Sequence, residues 1–275
     1  MLSISLGPLA LPVAPALLLG ASWAAALLAE RLARRSPLQA GALATHNTLV
    51  NAVGLGLLVA RLVHVAINAQ AYAASPWSVL DIRDGGWHGV AGAVAGAAWL
   101  LWRGLRAPAL RGALSGGVAA GVALWAAGAW ATGLYAPSAM PALGVARLSD
   151  GVVVSLPQAA QGRPVVVNLW ASWCGPCRSE LPVLAAAQQA ETQVGFLFVN
   201  EGETAEAVQA YLHQQGLPLR EVLLDARSAV GPAMGSHGLP TTLFYNAKGE
   251  LVDSHFGVLN AAALQSRLQG LRVAR

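Results

Sequence analysis

Cys174 and Cys177 are the only cysteines in 275 residues, and they stand three positions apart behind an apolar run in "VVVNLWASWCGPCRSE". A strand that feeds straight into a helix puts the first of two such thiols at the helix N-terminus, where unpaired N–H groups and the macrodipole favour a negative charge. The thiolate is the attacking species in thiol–disulfide exchange. Cys174, beside Trp173, is then the nucleophile, and Cys177, one turn further in, is the thiol that resolves a mixed disulfide. A static staple is an alternative, although closing so short a loop brings little entropic benefit. A metal site is another, and it needs two further ligands at zinc spacing. The redox reading calls for no metal and for no cofactor beyond the Cys174–Cys177 pair.

The elements that must position this pair follow from periodicity. "RPVVVNLWA" is a continuous apolar run, as expected of a strand covered on both faces. "VARLSDGVVVSL" reads as a hairpin around Asp150-Gly151. After the cysteines come a helix kinked at Pro182, the strand "QVGFLFVN", the helix "TAEAVQAYLHQQ" and the strand "EVLLD". "TTLFYN" and "LVDSHFG" pair across Ala247-Lys248-Gly249, and "NAAALQSRLQGL" closes the chain as an amphipathic helix. This alternation predicts an α/β fold over residues 137–275, a mixed sheet flanked by helices.

Residues 1–136 have a different composition. They hold eight Arg against Glu30, Asp81 and Asp84, whereas residues 137–275 hold nine basic against ten acidic residues. The net charge of +4 therefore belongs to the first half. Its basic residues sit in short loops between apolar runs rather than on one folded face, which argues against a nucleic-acid partner.

Four stretches, 7–29, 44–69, 87–102 and 112–135, approach the roughly 20 apolar residues of a membrane span. They predict an all-α transmembrane domain of about four helices, with the bilayer as partner. Arg31, Arg34 and Arg35 in one loop, and Arg103, Arg106 and Arg111 in another, place both loops in the cytoplasm. The N-terminus and residues 137–275 then face outward. The start reads as an uncleaved first helix, since no basic residue precedes it. Gly92 with Gly96, and Gly117 with Gly121, are pairs of small residues at the spacing that lets helices approach closely, so the third and fourth spans are expected to pack on each other. Arg61 and His64, one turn apart, either reach the outer interface or face the bundle interior.

Resemblances to two families sharpen this. "VVNLWASWCGPCRSELP", "FVNEGE" and "GLPTTLFYNAKGELV" resemble the membrane-anchored thiol-disulfide oxidoreductases of the TlpA and ResA type, within the thioredoxin superfamily. The resemblance implies a thioredoxin-like fold with Cys174 and Cys177 as the redox pair. It implies a cis peptide before Pro240, and a partner-binding surface formed by Trp173, Gly175, Pro176, Leu239 and Pro240. Glu180 matches an acidic residue placed near the active site, where it exchanges a proton with Cys177. Asn168 stands where thioredoxin itself has a buried Asp.

The implied activity is that of a protein-disulfide reductase in the bacterial inner membrane, multi-pass, with its C-terminal domain in the periplasm. Its partners are extracytoplasmic cysteine-containing proteins, apocytochrome c among them in cytochrome c assembly. The first half carries no cysteine pair to pass electrons across the membrane, so a separate membrane thiol reductase, or a small thiol pool, must reset the site. The first half itself is similar to the opening helices of prolipoprotein diacylglyceryl transferase, most closely at Asp84-Gly85-Gly86 and His88-Gly89. It lacks that family's functional tyrosine and later Gly-Arg-Leu-Gly-Asn block, so it is expected to serve as a degenerate anchor. Lipid modification by this half is the alternative function.

Overall fold

The apolar runs of the first half fold as helices, but the first of them begins later than the sequence predicts. In this computed structural model, which describes residues 3–6, 9–35, 41–73, 76–134 and 138–273, Ser3–Leu6 (β1) and Leu9–Pro12 (β2) pair antiparallel. The first helix, α1, starts only at Val13 and runs to Arg35. Proline explains the shift: Pro12 closes β2, and Pro15 stands in the first turn of α1, where a missing N–H costs no helical bond. Then come α2 (Ala42–Ile67), α3 (Ala69–Ala73), α4 (Gly89–Arg106) and α5 (Arg111–Ala131).

Among the described residues, α1, α2 and Pro108–Ala131, which contains α5, are long and apolar enough to cross a membrane. The four expected long helices are all present, and the third of them, α4, is the one outside this set. The helix α4 has 18 residues, with Arg103 and Arg106 in its last turn. It is the shortest of the four and reaches the roughly 20 residues of a crossing only with flanking residues included.

Packing separates the chain into two units, Val13–Ala69 with Gly86–Tyr135, and Met1–Pro12 with Gln70–Gly85 and Ala136–Arg275. The boundary expected at 136/137 lies outside the described residues. In the helical unit the small residues do bring helices together, but with partners other than those expected. A Cβ on Gly92 would lie 2.7 Å from the Gly56 carbonyl oxygen, and one on Gly117 would lie 2.8 Å from that of Ala25. So α4 packs on α2 and α5 on α1, backbone against backbone, rather than α4 on α5. Arg61 is buried, and its Nη1 donates to the Gly86 carbonyl at 3.0 Å. Arg61 therefore turns onto the chain just before α4.

The other unit is built on β3 (Gly144–Arg147), β4 (Val153–Ser155), α6 (Leu156–Ala160), β5 (Val165–Trp170) and α7 (Gly175–Ala190). It continues with β6 (Gly195–Glu201), α8 (Ala205–Gln215), β7 (Val222–Asp225), α9 (Val230–Ala233), β8 (Thr241–Tyr245), β9 (Leu251–Phe256) and α10 (Ala261–Val273). The seven strands order as β4-β3-β7-β6-β5-β8-β9, with β5, β6 and β7 parallel and the others antiparallel. This is the expected thioredoxin-like mixed sheet.

Every residue of β5 is buried, which is what its unbroken apolar run implied. Val165, Val167 and Leu169 point into a core shared with Leu156 and Val230, and Val166 and Trp170 into one shared with Leu184, Leu264 and Leu268. Alternation along the strand therefore puts Asn168 on the second face, beneath α7.

Candidate redox site

The strand β5 ends at Trp170 and the chain turns through Ala171–Trp173 into α7, so the loop that carries the cysteines hangs from the middle of the sheet. Cys174 is the N-cap of α7, and its sulfur accepts the Cys177 backbone N–H at 3.2 Å. The cap thus aims a helix N-terminus at this one sulfur, the arrangement that favours its thiolate when the pair is reduced. The two cysteines are joined as a disulfide. Cys174 is 6% exposed and Cys177 1%, while Trp173, at 71%, Gly175 and Pro176 are exposed around them.

Leu239 packs against the hydrophobic cluster that includes both cysteines. Leu239–Pro240 is cis, as the resemblance implied. Pro240 immediately precedes β8, whose first residue, Thr241, pairs with Leu169 of β5. Pro240 is thereby brought to the same end of β5 from which the cysteine loop departs.

Glu180 lies three residues beyond Cys177, hence on the same face of α7. It is 1% exposed, so the picture of a solvated helix residue does not apply. Its Oε1 accepts from Asn168 Nδ2 at 2.8 Å and from Thr242 Oγ1 at 3.0 Å, and its Oε2 accepts the Leu259 N–H at 3.1 Å. Burial pushes its pKa up to about 7, against the opposing pull of those three donors. A carboxyl that titrates near neutrality beside a resolving thiol is suited to hold or release that thiol's proton.

Asn168 emerges as a donor that orients Glu180, a role visible in the sequence only as the absence of an Asp. Thr242 and Leu259 carried no sequence signal, one being a Thr in a strand and the other acting through its backbone.

The loop after β6 also reaches the site. Glu203 accepts the Ser172 N–H at 2.7 Å and Asn200 Nδ2 at 2.6 Å, which pins the turn two residues before Cys174. Glu201 instead accepts the Gly231 N–H at 3.0 Å, and burial raises its pKa. Both carboxylates thus serve loop architecture here.

A thioredoxin-like sheet with a Cys-x-x-Cys disulfide at the start of the helix that follows an interior strand defines a thiol–disulfide site. Residues 136–267 match the Redoxin family. Over 108 residues the chain is 32% identical to the thiol:disulfide interchange protein DsbE of Pseudomonas fluorescens biotype C, a match covering 39% of this chain and 60% of the relative. It is 32% identical over 99 residues to the thiol-disulfide oxidoreductase ResA of Halalkalibacterium halodurans, covering 35% and 56% respectively. The chain therefore spans less than two thirds of the length of these curated relatives. A thioredoxin-family thiol:disulfide interchange protein of Chlorobium tepidum superposes with a TM-score of 0.42 at 25% identity, covering 49% of this chain and 96% of that one.

Proposed function

We propose that this chain is a membrane-anchored, extracytoplasmic protein-disulfide reductase. The observation that carries the reading is the Cys174–Cys177 disulfide at the N-terminus of α7, with a buried carboxyl one turn behind it. In the reduced pair, the Cys174 thiolate attacks a substrate disulfide and forms a mixed disulfide, expelling one substrate thiolate. Cys177 then gives up its proton, with Glu180 as acceptor, and attacks Cys174. The second substrate thiol leaves, and two electrons have passed to the substrate as the Cys174–Cys177 bond forms.

The substrates are extracytoplasmic proteins with cysteine pairs, apocytochrome c among the candidates; the likeness to thiol:disulfide interchange proteins supports the cysteine-pair chemistry. Trp173, Gly175, Pro176, Leu239 and Pro240 form the surface such a partner meets. The helical half contains no cysteine, so a separate membrane thiol reductase restores the dithiol.

Equilibration of the full chain with graded thiol and disulfide buffers tests the direction. A reductase should settle near the roughly −270 mV of thioredoxin, whereas a value near about −120 mV would make the site an oxidant.

Location has its own test. A periplasm-dependent reporter fused after residue 140 should be active, and fusions within residues 30–42 should report from the cytoplasm. A cytoplasmic signal after residue 140 would defeat both the topology and the choice of substrates.

The anchor role of the first half predicts that the full chain does not rescue a strain lacking the diacylglyceryl transferase. His88 Nδ1 accepts the Ala91 N–H at 3.2 Å as the N-cap of α4. His88→Ala should accordingly cost about 1 kcal/mol of helix stability and leave disulfide reduction unchanged. Rescue that depends on His88 would instead favour the lipid-modification reading.

A further inference from the structure

Asp84 lies in the segment Gln70–Gly85, between α3 and α4 in sequence, yet that segment packs as part of the unit that carries the redox site. The side chain is fully buried. Its Oδ2 accepts the Tyr72 hydroxyl at 2.7 Å and Asn260 Nδ2 at 3.4 Å, and the Asp84 carbonyl accepts from Arg267 Nη2 at 3.5 Å. A buried carboxylate is costly without partners, so this one fixes the segment against α10 and the turn that precedes it.

That turn, Val258–Asn260, is held from several sides. His255 Nε2 meets the Val258 carbonyl at 3.3 Å. The Leu259 N–H goes inward to Glu180 Oε2. Asn260 Oδ1 caps α10 by accepting the Ala263 N–H at 2.9 Å, which leaves its amide nitrogen to reach Asp84. Among the described residues, Arg267, which also pairs with Asp253, lies near Asp84, as does His255, which burial and then the Arg267 charge push down to about 4 and so keep neutral near pH 7. Two neighbouring residues thus connect two buried carboxyls: Asn260 faces Asp84, and Leu259 faces Glu180.

We propose that Asp84 is a positioning residue of the redox site. By anchoring Asn260 it holds the Leu259 N–H on Glu180, which makes the segment Gln70–Gly85 a working part of the proton-handling side of the site. The idea rests on the thiol–disulfide reading, and it gives the Asp-Gly-Gly element a role in this chain other than lipid chemistry. Loss of the anchor weakens a hydrogen bond to the charged form of Glu180, so the carboxyl should hold its proton to higher pH.

The test uses the full chain in detergent micelles with Asp84→Ala, the conservative Asp84→Asn, and Asn260→Ser. The serine keeps a cap for α10 but loses the amide that reaches Asp84. In the oxidised protein, hydrogen exchange across residues 259–264 should quicken at least about tenfold in Asp84→Ala and Asn260→Ser, with β5 unchanged. Asp84→Asn should stay near wild type, since an amide oxygen can still accept from Tyr72 and Asn260.

In the reduced protein, the rate of alkylation of the cysteine pair between about pH 5 and about pH 9 should show its midpoint raised by about half a unit in Asp84→Ala. Placed on a Glu180→Gln background, the same variant should produce no such shift. Unchanged exchange at 259–264 in Asn260→Ser overturns the proposal, as does a midpoint shift that persists without Glu180. A wild-type profile with no Glu180-dependent inflection counts against the thiol reading itself, while the exchange still reads the Asp84 link by itself.

Discussion

Cys177→Ser should turn the chain into a trap, isolated from cells as a covalent adduct with its partner proteins through Cys174. The variant keeps the more exposed sulfur at the helix N-cap and loses the thiol that completes exchange, so the mixed disulfide has no internal route to release. Cys174→Ser should yield at least about tenfold less adduct, because the remaining thiol is buried and lies inside the first turn rather than at the cap. Non-reducing electrophoresis of the two variants, followed by mass spectrometry of the adducts, measures the ratio. Equal trapping would undo the division of labour between the cysteines. Adducts composed solely of cytoplasmic proteins would undo the proposed location.

The second large effect concerns stability against pH in the oxidised protein. Glu180 in the folded chain keeps its proton to about pH 7, whereas an unfolded glutamate loses it near its ordinary value of 4.5. Below the lower value both states are protonated, and the group contributes no difference. Between the two, only the unfolded state has ionised, so stability falls as pH rises. Above about pH 7 both are ionised, and the folded state carries a penalty on the order of 3 kcal/mol at 1.36 kcal/mol per unit.

Protection of the β5 amides in hydrogen exchange, taken at a series of pH values, reads this within the C-terminal unit. The wild type should lose protection across that interval. Glu180→Gln should be flat there, although it leaves one of the donors around position 180 without its acceptor, at about 1 kcal/mol. A slope of the same size in the variant would assign the pH dependence to another group.

The parts of this molecule that were legible in sequence are those whose signal is local. The unbroken apolar run of β5 announced a strand covered on both faces, and the cysteine spacing placed both thiols on the first turn of α7. The hairpin between β8 and β9 followed from Ala247-Lys248-Gly249. Short elements such as α6 and α9, of five and four residues, were missed because neither spans enough turns to show a period.

Glu180 shows a different limit. Its position in α7 could be read, but its environment could not, because the donors that surround it come from β5, β8 and the turn before α10. Asp84 is the strongest case, since its partner Asn260 lies 176 positions away. In the helical half, spacing revealed that Gly92 and Gly117 would sit in close contacts, but not against which helix. That choice depends on the whole bundle rather than on either segment.

Among the described residues β4 and β9 are the outer strands of the seven; Ser138 accepts the Leu251 N–H at the start of β9, whereas Val152 and Val153 stand exposed at the β4 edge. Spontaneous opening begins where a strand has one neighbour rather than two. The strand that feeds the cysteines is third from one margin and fifth from the other. As the protein ages, a protease or a misfolded neighbour should therefore meet the rim first, and a chain nicked there can keep its disulfide chemistry after its border has begun to fray.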